Sequence, residues 1–166
     1  VIDAKGLRPT TDRVKETVFN WLMPYIHDSR CLDCFAGSGG LGFEAWSRGA
    51  NHVMLIEQNQ SAFQQLRQNK SSLKAEALTI INDDTSSILA QPPQKPYDIV
   101  FIDPPFYKGL LDKTLLQLSN GWLTEDALIY IETERDATLD CVPNNFSLLK
   151  EKFAGQVRYA LYQLID

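Results

Sequence analysis

The chain has 166 residues, 44% of them hydrophobic and 22% charged, which suits a single domain with a full hydrophobic core. Its net charge of −5 argues against an extended nucleic-acid footprint, although Lys5, Arg8, Arg13 and Lys15 crowd the N-terminus and form either a solvated surface or a local phosphate-contacting patch. No apolar run approaches the ~20 residues that span a membrane, and no secretory-signal pattern opens the chain.

In chain order, "RPTTDRVKETVFNWLMPYI" reads as an amphipathic helix. Thr10, Thr11 and Asp12 are its N-cap candidates, Val14, Val18, Trp21 and Leu22 its apolar face, and Pro24 its end. "CLDCF" is a short strand and "GLGFEAWSRG" a helix closed by Gly49. Then come a buried strand "HVMLIE", a helix "QSAFQQLRQNKSSL", a strand "ALTIIN" and a short helical piece before "PPQKP". "YDIVFI" is the fourth strand, "GLLDKTLLQLSN" a helix and "ALIYIETE" the fifth strand. The tail folds back on Ala154-Gly155 as an antiparallel hairpin. Apolar strands alternating with helices predict an α/β fold, a mostly parallel sheet covered on both faces. In such sheets ligands bind beyond the carboxyl ends of the strands, where the strand order reverses. That directs attention to "DCFAGSGGLG", "EQN", "NDD" and "DPPF".

Cys31 and Cys34 form C-x-x-C, but residues three apart on a strand point to opposite faces. They are therefore expected as core thiols rather than a metal or redox pair, and with only His27 and His52 in the chain no metal site is expected. Three reduced cysteines fit a cytosolic protein.

"GSGGLG", Gly37 to Gly42, satisfies G-x-G-x-x-G between a strand and a helix, and Glu57 follows 20 positions after Gly37 at the end of the next strand. This pattern alone points to a nicotinamide dinucleotide. Asp33 changes the weighing, because its carboxylate would lie close to a bound pyrophosphate. Two like unit charges about 4 Å apart repel by about 4 kcal/mol at an effective dielectric of about 20. The same carboxylate suits S-adenosylmethionine (AdoMet), which has no phosphate and carries a sulfonium and an ammonium group. Glu57 can accept ribose hydroxyls of either cofactor.

The fourth strand ends on Asp103-Pro104-Pro105-Phe106. Asp103 is an acceptor, neither proline has an N–H, and the Pro104 carbonyl can turn toward a ligand. Phe106 offers a face on which a base can stack, worth ~1–3 kcal/mol. Acceptors beside a flat ring can hold a hydrogen-bond donor while a base stacks on that ring.

"DCFAGSGGLG" resembles the signature of class I AdoMet-dependent methyltransferases, and "DPPF" is similar to the [DNS]-P-P-[FYW] motif of those that methylate a planar nitrogen. Together "GLRPTTDRVKETVFNWL", "CLDCFAGSGGLGFEA", "FIDPPF", "GWLTEDALIYIETE" and "AGQVRYALYQ" resemble the RsmD family over essentially the whole chain. These are bacterial enzymes that methylate guanine N2 in small-subunit (16S) ribosomal RNA. The resemblance implies a Rossmann-like seven-stranded sheet in the order 3-2-1-4-5-7-6, with the last strand antiparallel. It also implies one methyltransferase domain over residues 1–166, residues 1–25 lying near the pocket mouth, and a monomer in the bacterial cytoplasm. A short N-terminal extension, basic and Gly-containing in the family, is expected to be missing before Val1.

By that resemblance AdoMet lies across the ends of the first three strands, against Asp33, Phe35, Ala36, Gly37, Ser38, Gly39, Glu57, Gln58 and Asp84. Asn59 stands where the family often has an acidic residue. Asp103, Pro104 and Phe106 form the catalytic end of strand four; Arg8, Thr10, Arg13, Pro105 and Phe106 meet the RNA, either naked or within a partly or fully assembled subunit. Three other readings stay open: another planar amine as target (adenine N6, cytosine N4 or a glutamine amide), a nicotinamide-dependent oxidoreductase, and a silent RNA-binding or assembly module.

Overall fold

The structure, a computed structural model, describes residues 11–105 and 109–165. Helix α1 (Asp12–Leu22) starts at Thr11, whose side chain accepts the Val14 N–H, and stops two residues before Pro24. Strand β1 (Arg30–Asp33), helix α2 (Gly40–Ser47), strand β2 (His52–Ile56), helix α3 (Gln60–Leu73) and strand β3 (Leu78–Ile81) form two consecutive βαβ units. The chain then crosses through α4 (Thr85–Leu89) to β4 (Tyr97–Ile102), and through α5 (Leu110–Leu118) to β5 (Leu123–Glu134). Strands β6 (Phe146–Ala154) and β7 (Val157–Leu164) close it as a hairpin.

All seven strands form one sheet in the order β3-β2-β1-β4-β5-β7-β6, with β7 antiparallel to both neighbours and every other pair parallel. The expected order and orientation are those observed. Each face buries its own cluster. Val18, Phe19, Leu41, Leu55, Leu66, Phe101 and Tyr130 pack under α1, α2 and α3. Leu32, Ile56, Leu89, Val100, Leu115, Leu118 and Trp122 pack under α4 and α5. Helices that follow β1 and β2 cover one face and those that precede and follow β4 cover the other, so the order reverses between β1 and β4 and leaves a crevice at their carboxyl ends.

Strand β5 begins four residues earlier than the apolar run "ALIYIETE" indicates. Leu123 pairs with Tyr97, the register then slips before Leu128 pairs with Ile99, and Asp126 takes φ 62° within the slip. The polar stretch Thr124–Asp126 is thus a bulge inside the strand, which an alternation pattern cannot reveal.

Cys31 belongs to one core cluster and Cys34 to the other, as the alternation of a strand requires. Burial pushes the Cys31 thiol up to about 12 and the Cys34 thiol well above its ordinary value. Among the described residues no group of three or more His, Cys, Asp or Glu could hold a metal ion, and no helix is long and apolar enough to cross a membrane.

Candidate active site

Four strand ends meet at the crevice. Asp33 is the last residue of β1, in register with Leu55 of β2 and Phe101 of β4. Beyond it the chain stays tied to both neighbours: the Cys34 N–H donates to the Phe101 carbonyl at 3.1 Å and the Ala36 N–H to the Ile56 carbonyl at 2.9 Å. The Thr85 hydroxyl at the start of α4 donates to the Cys34 carbonyl, anchoring the loop from the third strand end as well.

The glycine loop turns where the first glycine stands. Gly37 has φ +57°, a backbone region costly for residues with a Cβ, and a Cβ there would meet nothing within 4 Å among the described residues. The third glycine serves packing: a Cβ on Gly42 would come within 2.6 Å of the buried Leu55 Cδ2, so α2 lies directly on β2. Ser38 is exposed, and Phe35 is half-buried beside the α4–α5 cluster.

Glu57 follows β2 and is 8% exposed. Its Oε1 accepts the Gly37 N–H at 2.7 Å and its Oε2 the Asn59 N–H at 2.9 Å. An ionised carboxylate has about four lone-pair directions, so two amides leave acceptor capacity for ribose hydroxyls. This link between Glu57 and the glycine loop is invisible in the sequence, where the two lie 20 positions apart. Asn59 is committed elsewhere: it caps α3, its Oδ1 accepting the Ala62 N–H at 2.8 Å. Gln58 is exposed.

Asn82, marked in the sequence only as the first residue of the "NDD" strand end, clamps the second and third strand ends. Its Nδ2 donates to the carbonyls of Glu57 at 2.9 Å and Gln58 at 3.1 Å. A polar residue at a strand end was the only signal available. Asp84 caps α4, its Oδ2 accepting the Ser87 N–H at 3.3 Å, while Asp83 accepts the Asp84 N–H at 2.6 Å.

Asp33 is the most unusual group. It is 1% exposed, and neither oxygen has a partner in hydrogen-bond geometry among the described residues. Burial pushes its pKa up to about 7; the nearby Phe35 and Gly42 amides favour the carboxylate, and the Glu57 charge opposes it. A buried, unsatisfied carboxylate is costly unless a cation or donor reaches it. A cofactor that brings positive charge to the glycine loop fits this arrangement, and a pyrophosphate does not.

Asp103 and Pro104 follow β4, Asp103 partly exposed and Pro104 buried, with the half-buried Pro105 next. Asp103 lies near enough to Tyr130 of β5 for its charge to raise the phenol pKa, after burial and Glu132. Arg13 is exposed on the first turn of α1. Lys15 instead faces Glu44 at 3.8 Å and Asp12 at 4.0 Å, which draws it out of the basic patch. Arg8, Thr10 and Phe106 lie outside the described residues. A cleft of about 640 Å³ between α1, α2 and α3 is lined by Ser38 and Gly39 among others, but by none of Asp33, Glu57, Asp84 or Asp103, so it is not where these groups converge.

Residues 1–163 match the family model described as "Conserved hypothetical protein 95". The chain is 55% identical over 164 residues to Ribosomal RNA small subunit methyltransferase D of Escherichia coli (strain K12), covering 98% of this chain and 82% of that protein. It is 52% identical over 167 residues to the protein of the same name from Haemophilus influenzae, covering 98% and 86%. The solved structure of yhhF from Escherichia coli superposes with a TM-score of 0.90 at 51% identity, covering 96% of this chain and 90% of that one.

Proposed function

This chain belongs to the RsmD family, also described as Conserved hypothetical protein 95, and from that premise we propose that it transfers a methyl group from AdoMet to guanine N2 in small-subunit ribosomal RNA. The observation that carries the choice of donor is the orphaned Asp33 carboxylate beside the Gly37 loop. AdoMet, when bound, supplies a methyl group already activated on a cationic sulfur. The names of the relatives support the RNA, and the acceptor-only end of β4 supports an amine as the receiving group.

In this reading Asp33 faces the positive end of the donor, and the backbone of Phe35, Ala36, Gly37, Ser38 and Gly39 lines its amino-acid part. Glu57 accepts ribose hydroxyls while still holding the Gly37 N–H, so the residue that grips the sugar also sets the loop. Gln58 and Asp84 border the adenine. Asp103 and the Pro104 carbonyl accept the two N–H bonds of the target amine and point its nitrogen at the methyl. Phe106 stacks the base, which must leave its helix to reach such a pocket. Pro105, Arg8, Thr10 and Arg13 meet the surrounding RNA.

The exocyclic nitrogen is a weak nucleophile and the methyl is already activated, so catalysis rests on placement, which can supply ~7–11 kcal/mol in well-oriented systems. After transfer the nitrogen carries a proton that Asp103 can take. The chain works as one copy in this scheme, since the strand ends of one sheet supply every group that meets the donor and the target amine.

Two measurements test this. Purified protein with labelled AdoMet should methylate small-subunit RNA or assembled subunits, and nucleoside analysis should find N2-methylguanosine. Asp103→Ala should lower turnover by ~10²-fold or more with AdoMet affinity by calorimetry nearly kept. Asp103→Asn should retain part of the activity if an acceptor suffices. Full activity in a folded, AdoMet-binding Asp103→Ala would remove Asp103 from the mechanism.

A further inference from the structure

Glu132, on the strand beside Asp103, has no part in the scheme above. It is 6% exposed, close to the carboxyl end of β5. Its Oε2 accepts the Tyr130 hydroxyl at 2.9 Å. The β4–β5 register pairs Phe101 with Tyr130 and Ile102 with Ile131. Asp103 follows Ile102 and Glu132 follows Ile131, so continuing this register would set the two side by side on the face that carries Phe101 and Tyr130. Asp103 and Glu132 both act on the Tyr130 hydroxyl. On the far side β7 pairs Tyr159 with Glu132, and Trp21 of α1 stacks on Tyr159 with ring centroids 5.5 Å apart. The arrangement is two neighbouring carboxylates at adjacent strand ends, one of them held by a buried phenol, with an aromatic pair beside it.

Ionised carboxylates only accept hydrogen bonds. Two side by side therefore match a ligand edge that presents donors on adjacent atoms. Guanine has such an edge: N1–H lies next to the N2 amine. Adenine places an N1 lone pair next to its N6 amine, cytosine an N3 lone pair next to N4, and an amide a carbonyl oxygen next to its nitrogen. Each of these would aim a lone pair at the second carboxylate. We propose that Glu132 accepts the N1–H of the base whose amine Asp103 grips, and so makes the site select guanine among planar amines. This rests on the reading of the chain as a guanine-N2 methyltransferase and adds the residue that specifies the base. Tyr130 is a positioning residue in it, aligning Glu132 through one oxygen.

The test uses 2-aminopurine, which keeps the 2-amine but has a lone pair at N1, placed at the methylated position of the RNA. The wild-type chain should prefer guanine to 2-aminopurine by ~10²-fold or more in kcat/KM, since a site built to bond a group strongly rejects an analogue lacking it. In Glu132→Gln the Tyr130 hydroxyl, a donor, keeps the amide carbonyl oxygen, which leaves the NH₂ group to face N1–H. The variant should lose activity on guanine and cut the guanine preference at least ~10-fold, with AdoMet affinity by calorimetry unchanged. The loss of the 6-oxygen in 2-aminopurine is common to both enzymes and cancels in this comparison. An equal fall on both bases, with the preference unaltered, would mean a structural role and overturn the proposal. Should Glu132→Gln fail to fold, Tyr130→Phe decides: a several-fold drop in preference with AdoMet binding kept is expected, and an unaltered preference overturns the proposal. Failure of the wild-type chain to methylate guanine N2 in any small-subunit RNA would overturn the functional reading and this proposal together, whereas an unaltered preference in the variants would overturn this proposal alone.

Discussion

Asp33 holds its proton to about pH 7 because the chain around it is too dry to support a bare carboxylate. The consequence for stability has a definite sign. From about pH 4 to about pH 7 the folded chain keeps a proton that the unfolded chain has lost, so this group makes stability fall as pH rises. Asp33→Asn should relieve that penalty and raise the stability of the ligand-free protein at pH 8 by on the order of 2 kcal/mol, read by urea denaturation. The same substitution removes the charge that the donor's cation would meet. Wild-type affinity for AdoMet should strengthen from pH 6 to pH 8 as Asp33 ionises. The variant should bind at least ~10-fold more weakly at pH 8 and show no such trend, as calorimetry would report. A less stable Asp33→Asn protein, or a wild-type affinity flat across this range, would contradict the assignment of Asp33 to the donor's positive end. Asp103→Ala, which acts on turnover rather than on donor affinity, is the complementary substitution at this scale.

At the scale of elements, the glycine loop and α2 act as one piece laid over β1 and β2. Glu57 holds the loop's first glycine, and the third glycine lets α2 approach Leu55. Gly42→Ala would drive a methyl into Leu55, which is fully buried and cannot move aside cheaply. The expected cost is about 1–3 kcal/mol, visible as a lowered Tm. The shift of α2 should reach the Gly37 loop and weaken AdoMet binding as well. A Gly42→Ala protein of unchanged Tm would mean that the helix and strand are less tightly packed than their separation indicates. The other elements at the site are fastened by polar side chains: Asn82 ties the β2 end to the β3 end, and the Thr85 hydroxyl ties α4 to the loop after β1.

At the scale of the whole molecule, the two core clusters lie on opposite faces of one sheet and share its backbone. If the chain is one cooperative domain, neither face can open without the other. Cys31 reports on one face and Cys34 on the other, and both thiols are buried and held protonated. Thiol labelling under native conditions should give both the same protection free energy, within about 1 kcal/mol and equal to that of global unfolding. Cys141, partly exposed, should label first, slowed because burial and Asp112 push its pKa up to about 11. Unequal protection of Cys31 and Cys34 would show that one face opens by itself.

The sequence by itself determined the order and type of the elements. Apolar runs broken by helical periods leave little choice but a covered parallel sheet, and the glycine loop, Glu57 and the Asp-Pro-Pro run mark the strand ends at which a ligand would sit. It also determined that Cys31 and Cys34 cannot cooperate, because strand alternation is a local rule. Only the tertiary structure decided which groups are already engaged. Asn59 and Asp84 spend side-chain oxygens on helix caps, and Glu57 spends two on amides. Only the tertiary structure left Asp33 without a hydrogen-bond partner among the described residues, and only the β4–β5 register set Glu132 and Asp103 both near Tyr130. The bulge at Asp126, which sets that register, is written in no local pattern. Periodicity and turn chemistry act over a few residues and survive in a bare sequence, whereas burial, pKa and the pairing of distant strands depend on which surfaces the fold removes from water.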